Sequence, residues 1–409
     1  MTLNARTVEL QEVVRFASGG TPSKSNPANW GGVVPWVSAK DLKTLNLHDS
    51  QDHLTKLGAK GTNLAPAGSV LVLVRGMTLL KDLPVGVTMR PMAFNQDVKA
   101  LYSTDGLRPY YLAYYLISRK QEILQSVETA GHGTGRLDTD FLKTFPIELP
   151  SLDKQDDIIK VIGEWDTAIE KATALLTALE QRKQGLMQQL LTGRRRLKGF
   201  KGKWKEVTLG KVLERVTRKN SDSCNNALTV SAQRGLVAQG SYFAKQIAAE
   251  ANEHYVLLKR GEFAYNRSAA NGYPFGAIKR LDSHEEGIVS TLCLCFGIRH
   301  EDVLDSDFLV WLIEAGQLNR AICKIAHEGA RSHGLLNVTA KDFFGIKTTV
   351  PGFSEQRVIA AIMNDTQTEI DALRGQVEAL KIQKRALMQK LLSGNWHMPK
   401  TALPKEFSA

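Results

Sequence analysis

LEQRKQGLMQQLLTG, Leu179 to Gly193, returns 201 positions later as LKIQKRALMQKLLSG, Leu380 to Gly394. Leu179, Lys183, Leu186, Met187, Gln188, Leu190, Leu191 and Gly193 all meet identical residues in the second copy. Two stretches this alike, each near the end of one half of a 409-residue chain, mark an internal duplication. The match runs back without a gap to Pro150 and Pro351, each followed by a helix N-cap candidate, Asp153 and Ser354, and then by Gln155 and Gln356. Upstream the copies diverge, yet landmarks persist. VSAKDL at Val37 to Leu42 answers VSAQRGL at Val230 to Leu236, Gly68 with Arg75 answers Gly261 with Arg267, and Asp140-Phe141 answers Asp342-Phe343. The expected organisation is a globular part over 1–150, a helix over 151–195, a second globular part over 196–351, a second helix over 352–395 and a tail over 396–409.

In the first helical stretch Ile158, Ile162, Trp165, Ile169, Ala172, Leu176, Leu179, Lys183, Leu186 and Leu190 alternate steps of four and three, a heptad seam with one charged break. The second gives Ile359, Met363, Thr366, Ile370, Leu373, Val377, Leu380, Lys384, Leu387 and Leu391, with its lysine at the aligned place. Gly193 and Gly394 stand where a C-cap glycine belongs, and Pro150 and Pro351 block helix propagation upstream. Each helix then measures about 38 residues, or roughly 57 Å at 1.5 Å per residue. A single-sided apolar seam of that length needs a partner, and the nearest is the other copy. Connectivity makes the predicted pair an antiparallel intramolecular coiled coil with a globular part at each end, the paired lysines setting register. Packing of each helix on its own domain alone is the alternative.

The length fits two to three cores on the prior of roughly 100–200 residues per domain. The globular parts read as mixed α/β (α+β), two tandem domains in a pseudo-twofold repeat. Strands are expected at Val33 to Val37 and Ser69 to Val74, then at Ala227 to Ser231, Glu262 to Tyr265 and Leu292 to Ile298. PYYLAYYLIS at Pro109 to Ser118 and the stretch Asp307 to Gly316 read as matched helices.

Four cysteines, Cys224, Cys293, Cys295 and Cys323, lie in the second half without a CxxC pair. His327 follows Cys323 by four, too little for a tetrahedral zinc site, so buried reduced thiols with neither disulfide nor structural metal are expected. No apolar run approaches the ~20 residues of a membrane span, and Met1 to Thr7 carries no signal-peptide core, which predicts a cytoplasmic protein. A net charge of +11 favours a polyanionic partner, and a duplicated basic protein suits the repeating binding sites of DNA.

Both halves pass through a glycine-rich basic turn, GHGTGR at Gly131 to Arg136 and HEGARSHG at His327 to Gly334. Exposed turns on a rigid frame are where recognition residues sit. Basic side chains position phosphates, whereas Arg, Asn and Gln reach base edges with paired hydrogen bonds. The DNA-facing candidates in the first half are Lys24, Arg75, His132, Thr134 and Arg136. In the second they are Gln233, Arg234, Asn266, Arg267, Asn271, Tyr273, Arg331 and His333. Arg194, Arg195, Arg196, Lys198, Lys201, Lys203 and Lys205 crowd the join after the first helix, as a solvated linker or as a DNA-backbone contact.

SGGTPS at Ser18 to Ser23, PWVSAKDL at Pro35 to Leu42, AYNR at Ala264 to Arg267, VPGFSEQRVI at Val350 to Ile359 and the two LL[TS]G helix ends give the chain its resemblance. It resembles, over essentially its whole length, the specificity subunit of a type I restriction-modification system. It departs from its own second copy at LDKQDDI, Leu152 to Ile158, where that copy keeps Glu355-Gln356. The resemblance implies a subunit with no catalytic site. Each recognition domain would read one half of a split, asymmetric DNA target. The helices would set the spacer and dock two modification subunits that methylate adenine, joined in the full complex by restriction subunits. S-adenosylmethionine, ATP and Mg would belong to those partners, with no cofactor or metal held here. Unlike domains imply unlike half-sites and a non-palindromic target.

An enzymatic alternative, a self-contained DNA methyltransferase, would need an [ND]PP[YF] loop, and the nearest strings are NPAN at Asn26 and GHGTG at Gly131. No GxxxxGK[ST] phosphate loop occurs. A coiled-coil adaptor that binds only protein is the third reading. DNA mobility shift separates it from the first.

Overall fold

The computed structural model describes residues 6–130, 133–221, 224–239, 254–270, 272–328 and 336–393. The chain forms two compact units, Met1–Thr173 with Gly375–Ala409 and Ala174–Arg374, so each unit takes one globular part and half of each long helix. Those helices run over Leu152–Leu190, 39 residues, and Phe353–Leu392, 40 residues.

The first unit opens with the strand Arg6–Glu9, antiparallel to Pro146–Leu149 in the register Arg6↔Leu149. A one-turn helix, Leu10–Val13, follows, tied by its Leu10 amide to the Phe145 carbonyl at 3.1 Å. Behind it lies a five-stranded sheet in the order Val14–Ser18, Val98–Ser103, Val70–Leu73, Val85–Thr88, Asn46–Leu47. Its central strand, VLVL, is fully buried, which is why that strand is an unbroken apolar run with no polar alternation. A four-stranded sheet, Asp52–Leu54, Trp30–Val37, Met92–Phe94, Leu64–Ala65, stands beside it. The helix Pro109–Ser118 buries Tyr111, Leu112, Tyr114 and Tyr115 in the same core as Ile158 and Ile162 from one long helix and Met388, Leu391 and Leu392 from the other.

The second unit repeats the frame. Lys205–Thr208 pairs with Lys347–Val350 in the register Lys205↔Val350, and the Leu209 amide, opening the helix Leu209–Val212, donates to the Ile346 carbonyl at 2.8 Å. Its four-stranded sheet runs Leu213–Arg215, Leu294–Ile298, Phe263–Asn266, Ala277–Arg280. Phe263 and Phe296 stack at 5.2 Å, with Phe343 against Phe296. Met187, Leu190 and Leu191 from one long helix meet Ile359, Ala360 and Met363 from the other in this core.

The anticipated strands and paired helices fall within one to two residues of the observed ones, Pro109–Ser118 at both ends, except that the strand expected from Val33 begins three residues earlier at Trp30. The N-cap expectation needs correction. The helices begin at Leu152 and Phe353, so Asp153 and Ser354 sit inside the first turn. The Gln155 amide already bonds the Ser151 carbonyl and the Gln356 amide the Gly352 carbonyl, starting each helix two residues early. Asp153 keeps a favourable place, since a carboxylate in a first turn complements the helix dipole.

Gln155 and Gln356 do matching work. Both are fully buried. Gln155 Nε2 donates to the carbonyls of Gly106 (3.0 Å) and Pro150 (2.9 Å), and its Oε1 accepts from the Arg108 amide at 2.8 Å. Gln356 Nε2 donates to Val303 (2.9 Å) and Pro351 (3.0 Å), and its Oε1 accepts from the Asp305 amide at 2.9 Å. One glutamine per copy therefore fastens the start of a long helix to the start of the shorter helix packed on it.

Every seam residue is buried or half-buried: Ile158, Ile162, Leu179, Leu190, Ile359, Met363, Ile370, Val377 and Leu391 fully, Trp165, Ile169, Leu176, Leu186, Leu373, Leu380 and Leu387 in part. Off the seam, Leu175 and Ile382 are exposed. The two lysine breaks are satisfied at equivalent places. In the first unit Lys384 Nζ donates to Asp166, which also accepts from the Tyr114 hydroxyl at 2.7 Å, and the ammonium lies 5.4 Å from the Tyr114 ring centre. In the second, Lys183 Nζ donates to Gln367 Oε1 at 3.0 Å. Asp166 and Gln367 are themselves 201 positions apart, as are the lysines, so each unit satisfies its lysine with the matching residue of the other copy.

Candidate nucleic-acid interface

In the first unit, the hairpin Glu128–Ala130 and Thr134–Arg136 takes Arg75–Gly76 as its third strand, pairing Gly135 with Gly76 and Arg136 with Arg75. Both glycines are required by the close crossing. Gly76 has φ +153°, and a Cβ on Gly135 would lie 3.2 Å from the Gly76 carbonyl oxygen and 3.0 Å from Leu79 Cβ. Arg75 and Arg136 thus stand directly opposite each other, both exposed and, among the described residues, free of ion pairs. Like charges facing across a strand pair destabilise it, typically by a few tenths of a kcal/mol or more. An anion over the pair relieves that cost. Thr134 lies half-buried on the same strand, and Glu128 faces Arg136 from the other side. His132, at the hairpin tip in sequence, lies outside the described residues.

Lys24 is exposed in a turn held by Ser23, whose carbonyl accepts from Asn29 Nδ2 (3.2 Å) and Trp30 Nε1 (3.1 Å). The preceding glycines serve packing. A Cβ on Gly19 would meet the Phe94 carbonyl oxygen at 2.1 Å, and the Gly20 amide donates to that same oxygen at 2.9 Å.

The second unit repeats the hairpin with His327–Glu328 against Leu336–Asn337, and the Leu336 amide donates to the Arg267 carbonyl at 3.1 Å. The arginine at this crossing is spent differently from Arg75. The Arg267 guanidinium donates to the carbonyls of Leu292 (2.9 Å) and Val338 (3.0 Å), bracing two loops, so its predicted place at a base edge is replaced by an internal one. Tyr273 is likewise turned inward, its hydroxyl on Glu314 at 3.3 Å with Lys279 4.9 Å from its ring centre. Asn266 Oδ1 accepts from the Ser268 amide at 3.0 Å, a local turn contact that leaves its Nδ2 available. Gln233 and Arg234 are exposed in the turn joining Leu228–Ser231 to Gly235–Ala238. Asn271, Arg331 and His333 lie outside the described residues.

In the linker, Arg194 and Arg195 are exposed. Arg196 is not a free cation: its Nε and Nη2 meet the two Glu355 oxygens at 2.8 and 2.6 Å, and Glu355 is only 3% exposed. That fork-to-carboxylate bond, strong because it is bidentate and charged, raises the Arg196 pKa and anchors the linker to the first turn of the second long helix. Glu355 and the clamp role of the two glutamines are what sequence reading missed. Glu355 stands in the sequence where the first copy has Lys154, and that mismatch was the available signal.

Burial pushes the Cys293 thiol up to about 11 and the Cys295 thiol to about 12. All four cysteines are unpaired. Among the described residues no helix is long and apolar enough to cross a membrane, and no cluster of metal-binding side chains occurs.

Residues 4–181, which hold the first mixed α/β part, its arginine-bearing hairpin and most of the first long helix, match the family model of the type I restriction modification DNA specificity domain. The resemblance read from the repeat is borne out by named relatives. The chain is 30% identical over 167 residues to the EcoR124I/EcoR124II specificity subunit of Escherichia coli, covering 40% of this chain and 41% of that one. It is 25% identical over 414 residues to the MjaVIII specificity subunit of Methanocaldococcus jannaschii, covering 95% and 92%. The first relatives are thus matched over only about two fifths of their length, 41% and 38%. A solved S subunit from M. genitalium shares the fold, with TM-score 0.56 at 14% identity over 95% of this chain and 96% of that one.

Proposed function

We propose that the chain is the DNA-specificity subunit of a type I restriction-modification complex and carries no catalytic site of its own. Each globular part reads one half of a bipartite, asymmetric target. The two long helices zip antiparallel along their whole seam as a coiled-coil strut, fix the spacing of the halves and dock two modification subunits, with restriction subunits joining in the full complex. S-adenosylmethionine, ATP and Mg enter with those partners, and the assembly works in the cytoplasm.

The observation that carries this reading is the recurrence, at matched places, of a three-part unit: glutamine clamp, paired seam, and a hairpin hydrogen-bonded to an arginine-bearing segment. A duplicated recognition module on a duplicated helix suits half-sites, which recur on one face of a duplex about every 34–36 Å. Helices of about 59 Å at 1.5 Å per residue are long enough to set such a gap. The divergence of the two basic hairpins supports unlike half-sites. Mapping methylated adenines across a genome that carries this chain and its partners tests the proposal. The expected result is a split, non-palindromic motif that disappears when this chain is deleted. A palindromic motif, or methylation indifferent to the deletion, refutes it.

A further inference from the structure

One concentration of cations is built from residues outside the recognition hairpins. In the second unit the helix Asn319–Ile325, the strand Lys347–Val350 and the end of the first long helix enclose an open groove of about 560 Å³, lined among others by Arg320, Lys324, Lys347, Thr348 and Trp204. Arg320 and Lys324 are exposed and, among the described residues, have no acidic partner. Lys347 shares its charge with Glu206 at 2.9 Å. Trp204, held edge-on to Phe308 at 6.4 Å, keeps a buried Nε1–H that has no acceptor among the described residues. Leading into the groove wall, the linker adds Arg194, Arg195, Lys198, Lys201, Lys203 and Lys205, all exposed.

The equivalent place in the first unit holds no cation among the residues lining it, and Glu122 adds an acidic side chain there. Counting from the buried Ile322 and Ile123, Arg320 and Lys324 correspond to Gln121 and Gln125, and Lys347 corresponds to Pro146. A surface that served two identical partners would need its chemistry in both copies, and this one has it in a single copy. A protein-docking site draws its affinity from buried aromatic and apolar anchors. The groove offers donors and cations around an indole already packed on Phe308, which is what a phosphate backbone requires.

We infer that this groove and the adjoining linker form a sequence-independent phosphate-binding site, which grips duplex outside the half-site read by the second unit. The inference rests on the DNA-specificity reading. It adds a contact that contributes affinity and salt dependence without contributing sequence choice.

The test uses the full chain, a random-sequence duplex of about 30 base pairs and a salt titration, comparing wild type with Arg320→Gln/Lys324→Gln and with the reversal Arg320→Glu/Lys324→Glu. Each lost phosphate contact flattens the slope of log K against log salt by about 0.9, so the neutral pair should lose up to about 1.8. The reversal should weaken binding further, and both should leave the methylated motif of the assembled complex unchanged. Both side chains are exposed, so circular dichroism should report an intact fold. An unchanged slope in these variants, alongside a flattened slope in Arg75→Gln/Arg136→Gln, overturns the groove and leaves the specificity reading standing. Loss of poly-glutamate capture with duplex binding intact also overturns it, in favour of an acidic protein segment. If the wild-type chain and its complex bind no duplex at all, both readings fall.

Discussion

Replacing Gln356 by leucine keeps roughly the same volume and removes three hydrogen bonds from a site with no exposed surface. The Val303 and Pro351 carbonyls and the Asp305 amide lose their side-chain partner together. A stranded buried polar group costs about 1–3 kcal/mol, and carbonyls retain a second lone pair, so the expected total is about 3–5 kcal/mol. For a unit of some 200 residues that corresponds to a fall of roughly 6–20 °C in Tm. The two units need not unfold in one step, so the assay should resolve them. Hydrogen exchange of the amides around Asp305 and Ser306, read against thermal unfolding, does so. Protection should collapse there while the Arg108 region, held by Gln155, keeps its own. Gln155→Leu should give the mirror result. A variant that unfolds within about 2 °C of wild type, with Asp305 still protected, would show that these contacts are replaced at no cost and would refute the clamp.

Arg75→Gln/Arg136→Gln should weaken DNA binding and flatten its salt dependence by up to about 1.8, while relieving the cross-strand repulsion leaves stability unchanged or slightly raised. Glu355→Gln removes the charge and one acceptor oxygen from Arg196's fork partner and should lower the urea midpoint of the second unit; an unchanged midpoint would make the pair decorative. Cys293 and Cys295 stay protonated at pH 8 and should alkylate far more slowly than the exposed Cys323 when peptides are mapped after iodoacetamide. Asp166→Asn breaks the ion pair of Lys384 and converts it to the neutral form that Lys183 already uses with Gln367. It should cost stability only modestly, whereas Asp166→Leu should cost several times more.

Much of the architecture was legible because duplication puts the evidence into the chain twice. The heptad steps, the proline stops, the glycine stop at Gly193 and the helix Pro109–Ser118 follow from local pattern, which survives in a single sequence, whereas Gly394 lies outside the described residues. The interface was read less well. Arg75 and Arg136 were recognised as basic turn residues, yet nothing local says that they face each other, because their pairing joins strands about 60 positions apart. Arg196, Arg267 and Tyr273 look equally available in sequence and prove engaged with Glu355, two backbone carbonyls and Glu314. A side chain's spare hydrogen-bonding capacity depends on what the fold brings beside it.

By itself, then, the sequence determined the repeat, the two long helices, their seam and the charge of the molecule, all of which are set by residue type and spacing along the chain. Only the tertiary structure decided which glutamines lock helix to domain and, among the described residues, which arginines remain free for an anion and that the groove carries its cations in one copy. Those outcomes depend on distances between residues remote in sequence, where a carbonyl or carboxylate within about 3 Å turns a candidate contact into an internal strut.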